Sequence, residues 1–325
     1  MSSVKIWPSN FIAISPVFER SIEATRVQLL RRMEAEFERL YRHPIILTPS
    51  ARSAISLALS CLNMSRRHTV YSSKFSSYCV WSTVTRYANP SYIINEALDA
   101  VLAVHQYGYT HCLPDGKFKI PIIEDSCDSI ILDNRAMFPN GGEVEIFSLP
   151  KIMGSYGGGV MAFKDLELYS ACKERTELNS HLTDSQDEKK LSISCENFTP
   201  SEYACWEANE WLNFNPSYNL LKHLESNLAA LKTNQRVILE RVACIREEFG
   251  NLFDGLEGLN LRLPPLLRLK ATNPGFSFLE RNVSCSRVLG AADFEERSLM
   301  PIHFGVTDAQ FDEFMRYLKN NHRYE

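Results

Sequence analysis

The sequence has no Cys-x-x-Cys pair. Its nine cysteines stand far apart, which argues against a zinc ribbon, and their odd number argues against a disulfide framework. They read as reduced thiols, many buried as small hydrophobes. No apolar run approaches the roughly 18 residues of a membrane span, and the opening MSSVKIWPSN lacks the basic and apolar regions of a secretory signal. The expectation is a cytoplasmic protein with no membrane partner. Basic clusters are missing as well: 35 Lys and Arg against 39 Asp and Glu give a net charge of −4, with the cations scattered singly, so no nucleic-acid partner is expected. Internal repeats and low-complexity tracts are absent. So is a Gly-x-x-x-Gly-x-Gly turn after the first strand candidate, which counts against a dinucleotide-binding fold.

What is present is 325 residues, 45% of them hydrophobic, enough for a large core and two lobes. Apolar residues at Val27, Leu30, Met33, Phe37 and Leu40 recur every three or four positions, predicting a helix over 21–41. Short β-rich runs follow: IILT near 45, TVYS near 69, SYII near 91, VLAVH at 101, IPIIE at 120, VEIFSL at 144 and GGVMAF at 158. Between the first two, ARSAISLALSCL has helical spacing, with Ser50 placed to cap it. Strands with a helix or loops between them and no steady alternation predict an α/β lobe with a sheet buried on both faces. A long periodic stretch from Ser217 to Phe253 predicts one or two helices leading to a smaller C-terminal lobe. The expected division is 1–212 and 213–325.

Three segments carry candidate chemistry. In "IIEDSCD", residues 122–128, an apolar strand ends in Glu124 and Asp125, and open parallel sheets bind ligands at the carboxyl ends of their strands. In "TPSARSA", residues 48–54, a strand, a polar turn and a helix start suit an anion such as phosphate. In "FSLPKIMGSYGGG", residues 147–159, one lysine lies between a Ser-Leu-Pro turn and three glycines. Each also has a plain reading: acids that cap a helix, a simple helix start, a solvated lysine before a hairpin turn.

Their order along the chain resembles the fold-type I pyridoxal phosphate enzymes, and more narrowly the DegT/DnrJ/EryC1/StrS sugar aminotransferases. Ser50-Ala51-Arg52-Ser53-Ala54-Ile55 is similar to that family's helix turn, Val104-His105-Gln106-Tyr107-Gly108 to its Val-His-x-Tyr-Gly, and Glu124-Asp125-Ser126-Cys127-Asp128 to its Glu-Asp-Ala-Ala-Gln. Phe147-Ser148, Lys151 and Gly157-Gly158-Gly159 follow in order, with Met300-Pro301-Ile302-His303 and Thr307-Asp308 as a late echo. The resemblance implies a three-layer α/β/α large domain with a seven-strand, mixed, mostly parallel sheet, a smaller C-terminal α/β domain, and pyridoxal 5'-phosphate as cofactor. It implies that Lys151 bonds the cofactor's aldehyde, its amine pKa lowered by removal from bulk water, and that Asp125 keeps the ring nitrogen protonated. Tyr78 would stack on the ring, with Trp81 the alternative. Ala51, Arg52, Ser53 and Ser148 would hold the phosphate, joined by Asn213 from a second subunit of a homodimer, while Asp128 would lie beside the phenolic oxygen. The implied activity moves an amino group from glutamate to a keto-sugar.

The sequence departs from that pattern in several places. Only two residues separate Ser148 from Lys151, Asp128 replaces Gln or His, Gly157 replaces Glu, and the connections after SYII and Gly108 are short. Two other readings stand beside the enzyme. A short-chain dehydrogenase needs Tyr-x-x-x-Lys, and Phe147 occupies the tyrosine position. A family member that has lost transamination would keep the fold as a binding or regulatory protein.

Overall fold

The computed structural model describes residues 23–73, 76–114, 119–178, 214–256, 261–270, 285–289 and 294–321. The chain opens with α1 (Glu23–Tyr41), β1 (Ile45–Thr48) and α2 (Ala51–Cys61). Ser50 caps α2 by accepting the Ser53 N–H at 3.1 Å, a contact worth about 1 kcal/mol. Then come β2 (Thr69–Ser72), α3 (Tyr78–Tyr87), β3 (Asn89–Ser91), β4 (Ala100–Val104), β5 (Ile122–Asp125) and the two-residue β6 (Ile130–Ile131). β7 (Val144–Ser148) runs into the short α4 (Leu149–Met153), followed by β8 (Gly159–Phe163) and α5 (Leu166–Leu178).

Six of the seven β-rich runs of the sequence are strands of one seven-stranded sheet, ordered β1-β8-β7-β5-β4-β2-β3, and the run SYII shares only Ser91 with the remaining strand. The third is displaced: β3 is Asn89–Ser91, upstream of most of SYII, and pairs parallel with β2. β2, β4, β5 and β7 are also mutually parallel, while β8 pairs antiparallel with both β7 and β1. β8 alone therefore runs against the other six.

Alternate residues of the strands enter different cores, as a doubly covered sheet requires. Ile45 and Leu47 pack with Met33 and Phe37 of α1, and Ile46 packs with Ala54 and Leu57 of α2. The first core continues into the long α6 (Tyr218–Phe249), which Ser217 caps. The second takes Val80 and Val84 of α3 and Cys172 of α5. The result is three layers, with α1 and α6 on one face and α2, α3 and α5 on the other. Beyond α6, β9 (Arg262–Leu263) pairs with β6, and β10 (Leu266–Arg268), β11 (Cys285–Leu289) and β12 (Phe294–Pro301) form a second sheet ahead of α7 (Asp308–Asn321). The expected boundary at 212/213 lies outside the described residues. Among the described residues, no helix is long and apolar enough to cross a membrane.

Candidate active site

Strand direction gathers the candidate residues at one edge. β1, β2, β4, β5 and β7 are parallel and end there, at Thr48, Ser72, Val104, Asp125 and Ser148. The reversed β8 begins there, since Gly159 pairs with both Ser148 and Thr48. Segments far apart in sequence thus share one rim: the α2 start, the α3 start, the Asp125 loop and the lysine helix.

Lys151 lies on α4, which follows β7 without a linker. Ser148 is its N-cap and makes no side-chain capping bond, Pro150 sits in the first turn, and Gly154 ends the helix at φ +67°, ψ +32°. The two-residue spacing from Ser148 to Lys151 is therefore the first turn of a helix. The Lys151 Nζ donates to Asp128 Oδ1 at 2.6 Å, and its side chain is 27% exposed, so part of the lysine borders solvent. Burial alone would lower its pKa, but the Asp128 carboxylate outweighs that and leaves it raised. The amine of the ligand-free protein is therefore an ammonium, the opposite of the lowered pKa expected from burial alone.

Asp125 is buried, and its Oδ1 accepts the Cys127 N–H at 3.1 Å. Burial pushes its carboxyl pKa up, opposed by the bond from Cys127 and the charge of Lys151. Asp128 is held at both ends: Oδ2 accepts the Tyr107 N–H at 3.0 Å, and its carbonyl oxygen sits 2.7 Å from where a Cβ on Gly108 would be. Tyr107 and Gly108 both have positive φ, +58° and +84°, so the His-Gln-Tyr-Gly turn is shaped to make this contact.

The glycine run is buried structure and not a surface hairpin. The Gly158 N–H donates to Pro49 O at 2.7 Å, and a Cβ on Gly158, where φ is +105°, would lie 2.9 Å from Leu149 Cδ1. A Cβ on Gly159 would lie 2.6 Å from the Ser50 backbone and 2.7 Å from Ala51 N. Glycine is needed there because β8 starts directly beneath the N-terminus of α2. That contact fixes Ala51, Arg52 and the buried Ser53 relative to Lys151. Tyr78, the first residue of α3, is 73% exposed, and Trp81 one turn on is half-buried. Asn213 lies outside the described residues.

Two buried networks behind this rim were missed from the sequence. Glu124 accepts from His105 Nε2 (2.9 Å), Asn140 N and Nδ2, and Gly142 N. His105 Nδ1 accepts the His111 N–H at 3.0 Å, so the proton is on Nε2, aimed at Glu124. Burial would raise the Glu124 pKa; the His105 and Asn140 donors outweigh it and hold it down. Glu145 Oε1 accepts from Arg262 at 2.7 Å and from Ser126 Oγ at 2.5 Å, and Oε2 accepts Phe138 N at 2.7 Å. The legible signal was a carboxylate inside each of two doubly covered strands, which demands buried donors.

A lysine amine, a buried carboxylate at a neighbouring strand end, a helix N-terminus and an exposed aromatic ring suit an aldehyde-bearing, phosphorylated, protonatable flat ring. The fold is that of the sugar aminotransferases. It is similar to AtS13 from Actinomadura melliaura (TM-score 0.64, 14% identity, 98% of this chain and 99% of that one). It is also similar to a DegT DnrJ EryC1 StrS aminotransferase from Brucella abortus (0.61, 14%, 93% and 94%), and to DesI solved in the presence of its TDP-sugar product (0.62, 12%, 98% and 93%). Residues 33–321 match the model of the family described as "Putative PLP-dependent aminotransferase". The chain belongs to that family, and pyridoxal phosphate is its cofactor. A search of curated protein sequences found no match.

Proposed function

We propose that this aminotransferase moves the amino group of glutamate to a nucleotide-linked keto-sugar, as a homodimer in the cytoplasm, serving polysaccharide or secondary-metabolite synthesis. The observation that carries the transferase reading is Lys151, bordering solvent at the sheet edge where Asp125 ends the neighbouring parallel strand. The sugar part rests on the fold shared with sugar aminotransferases, and the subunit exchange of Asn213 on the family resemblance.

The bound cofactor supplies an aldehyde that accepts and returns an amino group, and a ring that withdraws electrons from the substrate's α-carbon. Lys151 would anchor it and, once released, would be the amine available to move a proton at that carbon. Asp125 would stand by the ring nitrogen and favour its protonated form. The first turn of α2, with Ser53 and Ser148, would hold the phosphate through backbone and hydroxyl donors. Tyr78 would stack on one face of the ring. A lysine, where the family's sugar dehydratases carry histidine, favours amino transfer over deoxygenation.

Incubating the holoenzyme with glutamate and a panel of keto-sugar nucleotides, with mass spectrometry of the products, tests the proposal. An aminated sugar nucleotide together with 2-oxoglutarate is expected. Amination of only non-sugar ketones would refute the sugar assignment, and no turnover with any donor would favour a binding or regulatory role.

A further inference from the structure

We propose that Asp128 is a fixed proton partner for Lys151, a positioning residue that keeps the amine charged and oriented before cofactor arrives and sets the pH at which it becomes a nucleophile. This rests on the reading of Lys151 as the anchoring amine and deepens it. Two carboxylates flank the lysine, and the amine is held by one of them at 2.6 Å. That choice is built in. Asp128 cannot swing away without giving up the Tyr107 N–H on its other oxygen, and the turn that supplies this N–H depends on two successive positive-φ residues, Tyr107 and Gly108. Asp125 spends one oxygen on the Cys127 N–H and thereby stays turned toward its own loop.

Among the described residues, two thiols also bear on the amine. Cys127 lies on the same loop, where burial pushes its thiol well up and keeps it neutral, and Cys79 comes from α3. α6 packs on the lysine helix through Asn234, whose Nδ2 donates to Ile152 O at 3.1 Å and brings no charge. Among the described residues Asp128 is the dominant anion for Lys151, and the division of labour follows: Asp128 holds the amine, and Asp125 remains for the ring nitrogen. A Gln or His at position 128 would not supply a full negative charge there at neutral pH.

Competitive acetylation of the cofactor-free protein by acetic anhydride across a pH series, with peptide mapping of Lys151, reads the amine's charge directly. In wild type, Lys151 labelling should trail that of exposed lysines. In Asp128→Asn, labelling at neutral pH should rise about tenfold or more, a full unit of pKa, and Asp128→Glu should restore the slow profile. Coincident profiles for wild type and Asp128→Asn would overturn the proposal. So would a wild-type Lys151 that labels as fast as exposed lysines, a result that needs no folded variant. Addition of pyridoxal phosphate to wild type separates the two readings: an absent absorbance change with the slow labelling intact would sink the anchoring role and leave the ion pair standing.

Discussion

At the residue scale, the buried carboxylates differ in which influence wins: at Glu124 the donors outweigh burial and lower the pKa, whereas at Asp125 burial wins and raises it. Asp125→Asn should fold, because the Cys127 N–H still finds an oxygen, yet lose the carboxylate proposed to pair with the ring nitrogen. Removing a positioned charge of this kind costs on the order of 3 kcal/mol, roughly a hundredfold in rate. Exchange of the α-proton of bound glutamate measures it, and a wild-type exchange rate would refute the role. Glu124 predicts a pH dependence of stability. Its folded pKa is depressed, so the stability it contributes is present above the ordinary glutamate range and is lost as pH falls through the folded value. Glu124→Gln should destabilise the protein by about 2 kcal/mol near neutrality, since it removes the charged acceptor of a buried hydrogen-bond network. Urea denaturation at two pH values should show that gap narrowing on acidification; a constant gap would mean the carboxylate is not ionised in the fold.

At the element scale, the strands were the most legible feature, because a doubly covered sheet writes itself as short apolar runs between polar turns. β3 was displaced toward Pro90, which an edge strand tolerates. α3, YCVWSTVTRY, was not read as a helix because its β-branched and aromatic residues favour strands; packing of Val80 and Val84 on the sheet overrides that preference. The second sheet gave no alternation clear enough to read. For the glycines the plain reading of the sequence is a hairpin turn, and the structure shows instead an approach of β8 to the start of α2. Gly159→Ala should therefore push on the Ser50–Ala51 backbone and weaken binding of pyridoxal phosphate to the apo-protein by on the order of tenfold, with a modest loss of stability of about 1–3 kcal/mol. Gly158→Val adds strain at φ +105° and should cost more in thermal stability. Wild-type affinity in Gly159→Ala would detach the glycine run from the phosphate site.

At the scale of the whole molecule, the segment after α6 is tied to the large sheet through buried charge. Arg262 of β9 reaches Glu145 of β7, Ser126 just after Asp125, and the Ala136 carbonyl. Nothing in the sequence pairs an arginine at 262 with a glutamate at 145, since 117 residues separate them and no periodicity links them. Arg262→Met should cost about 3 to 5 kcal/mol by stranding Glu145, and the double change with Glu145→Leu should recover much of it. Additive losses in that cycle would show that the two residues act independently.

The central claim is that Lys151 is the amine that carries the cofactor. Incubating the protein with pyridoxal phosphate, reducing with borohydride and mapping the modified peptide tests it most directly. The expected result is a single pyridoxyl adduct on Lys151, lost in Lys151→Ala together with transamination; an adduct on another lysine, or Lys151→Ala turning over like wild type, would contradict it.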